Sequence, residues 1–158
     1  MGILRRYLVV IALMFWQGGF TFYVSVVVPV ATEVLGSALR QGFITRQVTG
    51  WLNLIGSITL GLLAVDIFLT RDPSRWRLAS RTGLWALMVA CQVLLYRTHD
   101  YLSGLMVDRG LIVHEPVAFY QAHRVYLWAH TVQWGAGLVF VLLMLIGWKR
   151  EDQRKVSA

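Results

Sequence analysis

The chain has 158 residues, of which 57% are hydrophobic and 15% charged, and its mean hydropathy is +0.59. This composition excludes an ordinary soluble domain, which alternates core and surface residues instead of collecting its apolar residues in long blocks. The formal net charge of +7 comes from Lys and Arg beside those blocks, a distribution typical of membrane topology signals and not of a nucleic-acid surface. The single cysteine, Cys91, lies inside an apolar block, and the sequence has no CxxCH motif for covalent c-type haem attachment.

Four apolar blocks are predicted to cross the membrane, since a span needs roughly 20 such residues. The first follows Arg5 and Arg6; it is too long for a signal-peptide core and lacks a small-residue cleavage site, so we expect an uncleaved helix. Glu115-Pro116 predicts that the fourth helix begins outside the membrane. The fold class is therefore an all-α, antiparallel, integral membrane four-helix bundle, with residues 1–158 as one domain. The predicted spans cover residues 7–30, 48–70, 82–97 and 125–148.

The connections between the blocks predict the orientation. Residues 31–47 read as a loop or a short interfacial helix, residues 71–77 as a tight basic turn, and residues 99–124 as a longer connection. The side that holds both termini carries ten Lys and Arg and the opposite side five, so the first side is predicted to be cytoplasmic. We expect a multi-pass protein of a bacterial-type inner (plasma) membrane with both termini inside.

Polar residues inside the spans fall at similar depths, at about 1.5 Å per residue. Because unpaired polar groups are costly in lipid, they are expected to face the bundle interior and form a hydrogen-bonded layer in its outer third. Ser25 lies at the same depth on the first helix. The predicted layer comprises Gln17, Asn53, Gln92, His130 and Gln133.

Asp66 lies apart from this layer, near the inner end of the second span. At that depth its carboxylate is expected to reach water or to pair with Arg71.

All four histidines are predicted to lie in the half of the protein on the outer side of the membrane. Three interpretations of them remain open. One is a structural network that holds the helices in register. The second is a metal or haem b site with His99, His114 and His123 as ligands, because imidazole suits copper, zinc and iron. The third is a small-molecule or proton pathway, since a buried histidine can titrate near neutral pH. No serine–histidine–acid set, phosphate loop or carboxylate pair is visible, which favours a protein that is not an enzyme.

The segment Phe15-Trp16-Gln17-Gly18-Gly19, followed by Pro29, and the pair His123 and His130 carry a resemblance. In these features the chain resembles an uncharacterised four-helix membrane family, a domain of unknown function that includes the transmembrane protein 205 group. That family tends to have a histidine and an asparagine in its last helix, where this chain has Gln133 and no asparagine. The resemblance implies a membrane location and a four-helix fold, without an activity.

The leading functional hypothesis is a small non-enzymatic membrane protein that serves as an accessory subunit. Its expected partners are the lipid bilayer and either a larger membrane complex or further copies of itself. The alternatives are a protein with a metal or haem on its outer side, and a small transporter component.

Overall fold

The structure is a computed structural model that describes residues 2–70, 74–107 and 112–156. Its four helices are all long and apolar enough to cross a membrane, which confirms the predicted all-α bundle. They are α1 (Gly2–Leu35), α2 (Ala38–Leu69), α3 (Arg75–Leu105) and α4 (Pro116–Val156). Between α3 and α4, β1 (Met106–Val107) and β2 (Ile112–Val113) form a short antiparallel ribbon.

Helix α1 contains two π-helical segments, Met14–Gly18 and Tyr23–Val27. The second lies just before Pro29, whose ring would meet the carbonyl of Ser25 in a regular α-helix. A π-helical turn accommodates such a residue without ending the helix. The first ends at Gly18, directly before Gly19.

The connection between α1 and α2 corrects a prediction. Residues 31–47 were expected to form a loop or a short interfacial helix, yet α1 continues to Leu35 and α2 begins at Ala38. Gly36 makes the turn with a φ of 60°, and the Ser37 side chain caps α2 by accepting a hydrogen bond from the Arg40 amide at 3.3 Å. At the other predicted start, α4 begins at Pro116, as expected.

Side-chain hydrogen bonds link the helices in a closed ring. Thr59 of α2 donates to the Ala12 carbonyl of α1, and Trp85 of α3 donates to the Leu60 carbonyl of α2. The ring is completed where α4 donates from Gln133 to the Met88 carbonyl of α3 and from Trp134 to the Thr21 hydroxyl of α1. Each helix therefore has two neighbours, as an up-and-down bundle requires.

The two ends of the bundle differ in what they contain. The termini end holds the start of α1, the end of α2, the start of α3 and the last turns of α4; the hairpin end holds the other four helix ends and the β-ribbon. Between them lies an apolar core that includes Leu63, Met88 and Phe140, all fully buried. Large apolar side chains such as Phe22 and Leu142 are exposed on the outside, as lipid contact requires.

Candidate functional site

Three helices share a polar layer in the middle of the bundle. The Gln92 amide donates to the Asn53 backbone carbonyl at 3.0 Å, and the Gln133 amide donates to the Gln92 side-chain oxygen at 2.9 Å. All three residues are buried. This chain of bonds connects α2, α3 and α4 at one level, where the lipid would offer these groups no alternative partner.

Two glycines allow side chains of α1 to approach this layer. A Cβ atom on Gly56 would lie 2.7 Å from Trp16 Nε1 and 3.0 Å from Gln92 Oε1. A Cβ atom on Gly137 would collide with the Gln17 amide, which places Gln17 against α4. At Gly61, on the same helix as Gly56, nothing lies within 4 Å of a Cβ.

Two other predicted members of the layer have different surroundings. Ser25 is exposed and donates to the Thr21 carbonyl of its own helix, so the expectation that it contributes to the layer was wrong. His130 is buried between two aromatic rings, stacked on Phe20 and edge-on to Tyr126, with both ring centroids 4.7 Å away.

A cavity of about 640 Å³ lies at the hairpin end, between the start of α2, the end of α3, the ribbon and the start of α4. Apolar and aromatic side chains form most of its wall, among them Leu102, Met106, Val113 and Phe119. Polar side chains enter it from three helices. They are Gln41, Thr45, Arg46 and Thr49 of α2, His99 and Ser103 of α3, and His123 and Tyr126 of α4.

The mouth and the floor of this cavity have different chemistry. The lining residues Leu39, Ile112 and Tyr120 are exposed and mark the mouth. The floor is formed by Thr49 and by Tyr126, which is 6% exposed. The floor lies seventeen residues from Asp66 along α2, which corresponds to about 26 Å at 1.5 Å per residue. It is therefore separated from the termini end by most of the thickness of a hydrocarbon layer, about 30 Å.

The predicted metal ligands are only partly brought together. His99 and His123 line the same cavity, whereas His114 is exposed beside the ribbon and does not line it. His99 Nε2 lies 3.0 Å from the Arg46 carbonyl oxygen, which can only accept, so this nitrogen donates its proton there. Among the described residues, no group of three or more His, Cys, Asp or Glu side chains could hold a metal ion. The metal or haem b site stays a prediction without a third ligand in place.

A cluster of charged residues occupies the termini end, and it corrects the prediction for Asp66. This carboxylate is 0% exposed and does not reach water. It accepts from Arg81 at 2.6 Å and from the Trp148 indole at 3.1 Å, and its second ion pair, with Arg5, spans 3.2 Å. The expected partner, Arg71, lies outside the described residues. All four helices thus contribute to one buried cluster.

The cluster extends toward the surface along the contact between the two ends of the chain. Arg5 pairs with Glu151 at 3.1 Å, and Arg6 pairs with Asp152 at 2.7 Å. The Arg6 guanidinium also lies 5.3 Å from the Trp148 ring centroid. With Asp66 and Arg81, the described part of the cluster holds three guanidinium groups and three carboxylates, of which the Asp152 carboxylate is exposed.

Sequence reasoning missed this cluster because Arg81 was counted only as a topology signal. The depth of Asp66 inside an apolar helix signals that this carboxylate has a buried partner, but it does not identify which cation that partner is. Arg81 lies at the matching depth near the start of α3 and is also 0% exposed.

Comparisons with known proteins add no relative. No family model, no curated protein and no solved structure matches this chain. The resemblance to the transmembrane protein 205 group therefore stays a prediction, and the functional argument depends on the geometry of the chain itself.

Proposed function

We propose that this chain is a membrane protein that binds a small, partly apolar molecule in the cavity at the hairpin end. The observation that carries the proposal is the cavity itself, about 640 Å³ with mostly apolar walls that polar side chains from three helices interrupt. Small-molecule sites in proteins have this composition and volumes of roughly 300–1,000 Å³. Among the three hypotheses drawn from the sequence, this one is closest to the small transporter component.

We also propose that the cavity faces away from the cytoplasm in an inner (plasma) membrane. The support is the excess of Lys and Arg at the termini end, ten against five. The two lysines of the chain, Lys149 and Lys155, lie in its last ten residues. A membrane-impermeant amine reagent should therefore label the protein in broken cells and leave it unlabelled in intact cells; equal labelling in both would overturn this orientation.

The accessory-subunit role stays a prediction. Exposed apolar side chains occur on all four helices, on Phe15, Ile58, Leu94 and Leu142 for example. Lipid contact alone accounts for this distribution, and it does not single out one face for a partner protein.

The proposed binding is tested with the full chain in lipid nanodiscs. The probes are amphiphiles that share an unbranched ten-carbon skeleton and differ in the head: decanamide, methyl decanoate, decanoate and decyltrimethylammonium. Equilibrium dialysis against protein-free nanodiscs gives the affinity, and native mass spectrometry gives the stoichiometry. At least one probe is expected to bind with one molecule per chain.

A variant that fills the cavity identifies the site. Gly42 lines the cavity and a Cβ there would make ordinary contact with Met106 at 3.7 Å, so Gly42→Trp should occupy its space and abolish binding. The matched control is Gly104→Trp, at an exposed position of α3 near the hairpin end. A Cβ added at Gly104 would have nothing within 4 Å. If no probe binds, or if Gly42→Trp binds like the control, the proposed function is wrong.

A further inference from the structure

A groove of about 480 Å³ lies on the outside of the bundle between α3 and α4, and it shares no lining residue with the cavity at the hairpin end. The buried side chains of Cys91 and Ala129 form its bottom. Leu94, Val125 and Val132 also line it and are exposed. Exposed apolar side chains on a membrane-spanning helix face hydrocarbon, so the groove opens toward the acyl chains of the bilayer.

The end of the groove nearest the hairpin end is polar. Gln121 and Arg124 line it there, and both are exposed. Arg124 comes directly before the predicted start of the fourth span at residue 125, which places its guanidinium at the level of the lipid headgroups. Trp128 lies one turn deeper and is 66% exposed, so its indole N–H is available as a donor at the depth of the glycerol esters.

The length of the groove matches one leaflet. Gln121 and Val132 are eleven residues apart on α4, which corresponds to about 16 Å at 1.5 Å per residue. The whole hydrocarbon layer is about 30 Å thick. The groove therefore extends from the headgroup level to near the midplane, as a site for a phospholipid requires.

The charge of the groove favours an anionic lipid. Of the described residues that line it, Arg124 is the only charged one. Within the described part of the chain, its guanidinium has no hydrogen bond or ion pair. Guanidinium groups bind phosphate through parallel N–H bonds. A zwitterionic headgroup offers the same phosphate but also brings a cation beside Arg124, whereas an anionic headgroup does not.

We infer that this groove binds one anionic phospholipid from the leaflet at the hairpin end. Arg124 contacts the phosphate and Trp128 donates to an ester carbonyl. One acyl chain lies along Val125 and Val132. The inference goes beyond the proposed function and is independent of it, because it concerns another surface of the bundle.

The test uses the full chain in nanodiscs that contain equal amounts of phosphatidylglycerol and phosphatidylcholine with identical acyl chains. The protein is released into mild detergent, and native mass spectrometry counts the lipids that each chain retains. The parent chain should retain one phosphatidylglycerol in preference to phosphatidylcholine. Arg124→Gln should lower this preference by about fivefold, which corresponds to ~1 kcal/mol. Arg124→Lys should keep most of it, because the charge remains.

Two controls separate the groove from other sources of lipid binding. Arg40→Gln makes the same change of charge at an exposed position of the hairpin end that does not line the groove. Gly42→Trp fills the cavity at the hairpin end instead. Both variants should retain phosphatidylglycerol as the parent chain does.

A second pair of variants tests the apolar part of the site. Val132→Trp should fill the groove and abolish the retained lipid, since Val132 lines it and is 43% exposed. The matched control is Val139→Trp, two turns deeper on α4 and 50% exposed, which lies outside the groove and should have no effect. Neither substitution alters a buried residue.

Three results would overturn the inference without affecting the proposed function. One is the absence of a retained lipid that prefers the anionic headgroup. Another is an equal loss of preference in Arg40→Gln and Arg124→Gln, which would mean that the charge of the hairpin end attracts lipid without a defined site. The third is retention that survives Val132→Trp but is lost in Gly42→Trp, which would place the lipid in the other cavity.

Discussion

The two ends of the bundle differ in how their polar side chains are placed and bonded. At the termini end, the Asp66 carboxylate is fully buried and bonded to side chains from the other three helices. At the hairpin end, by contrast, polar side chains from three helices line a cavity of about 640 Å³. A buried, paired group stabilises the fold, whereas a polar group on a cavity wall can contact a ligand.

The two ends therefore have different roles along the membrane normal: one holds the helices together and the other contains the cavity. The charge cluster ties all four helices together at one end, and the apolar core around Leu63 and Phe140 separates it from the polar layer. The cavity occupies the other end, where the helices are held by the short ribbon and by fewer buried charges. Three substitutions test this contrast, from the largest expected effect to the smallest.

Asp66→Ala should have the largest effect on stability, because it leaves Arg5 and Arg81 without their shared counter-ion. Breaking a buried ion pair costs about 3–5 kcal/mol, a large part of the total stability of a domain. Thermal unfolding in detergent should show a strong loss of folded protein. Asp152→Ala is the control, since that side chain is 55% exposed and exposed pairs contribute about 0–1 kcal/mol. Equal effects of the two substitutions would contradict the interpretation that the buried ion pairs of Asp66 hold the termini end together.

Gly56→Ala should destabilise the polar layer by an intermediate amount. The added Cβ would meet the rigid indole of Trp16 at 2.7 Å and the amide of Gln92 at 3.0 Å, and overpacking costs about 1–3 kcal/mol. Gly61→Ala, on the same helix with open space around it, should instead gain up to ~1 kcal/mol of helix propensity. Unfolding in mixed micelles with increasing denaturing detergent measures both, and destabilisation by Gly61→Ala would show that the glycine contacts have been misassigned.

Gln133→Leu should have the smallest effect of the three. It removes the bonds to Gln92 and to the Met88 carbonyl, and hydrogen bonds between membrane helices contribute about 0.6 kcal/mol on average, with a maximum near 1.7. The control Gln121→Leu changes an exposed glutamine of the same helix and should be neutral. The same unfolding assay applies, and a loss comparable to that of Asp66→Ala would mean that the layer, not the charge cluster, holds the bundle together.

The sequence was sufficient for the helices but not for their ends. Apolar block length reports the thickness of the membrane, so the third block was predicted as residues 82–97 although α3 runs from Arg75 to Leu105. Helix ends depend instead on local chemistry. Ser37, Ser74 and Pro116 mark starts that capping rules describe well, and only the last of them was used.

The candidate site was less predictable, because depth along a helix does not define a partner. Depth placed Asn53, Gln92 and Gln133 on one level, and the structure gives the bonds between them. Depth alone could not indicate that Asp66 meets Arg81, since that pairing depends on which face each helix presents. Nothing in the sequence spacing of Tyr126 signalled that this residue lines a cavity.

The charge cluster also has a consequence for how the chain is made. Its members come from the start of α1, the end of α2, the start of α3 and the end of α4, so Arg5 is synthesised before Asp66 and Arg81, and Glu151 after all three. Asp66 can meet Arg5 and Arg81 once three helices have been inserted. The indole of Trp148 and the carboxylate of Glu151 join only after the fourth helix has been synthesised. The cluster is therefore completed only by the fourth helix, and a chain truncated before Trp148 would leave Arg5 and Asp66 buried beside an unfinished wall.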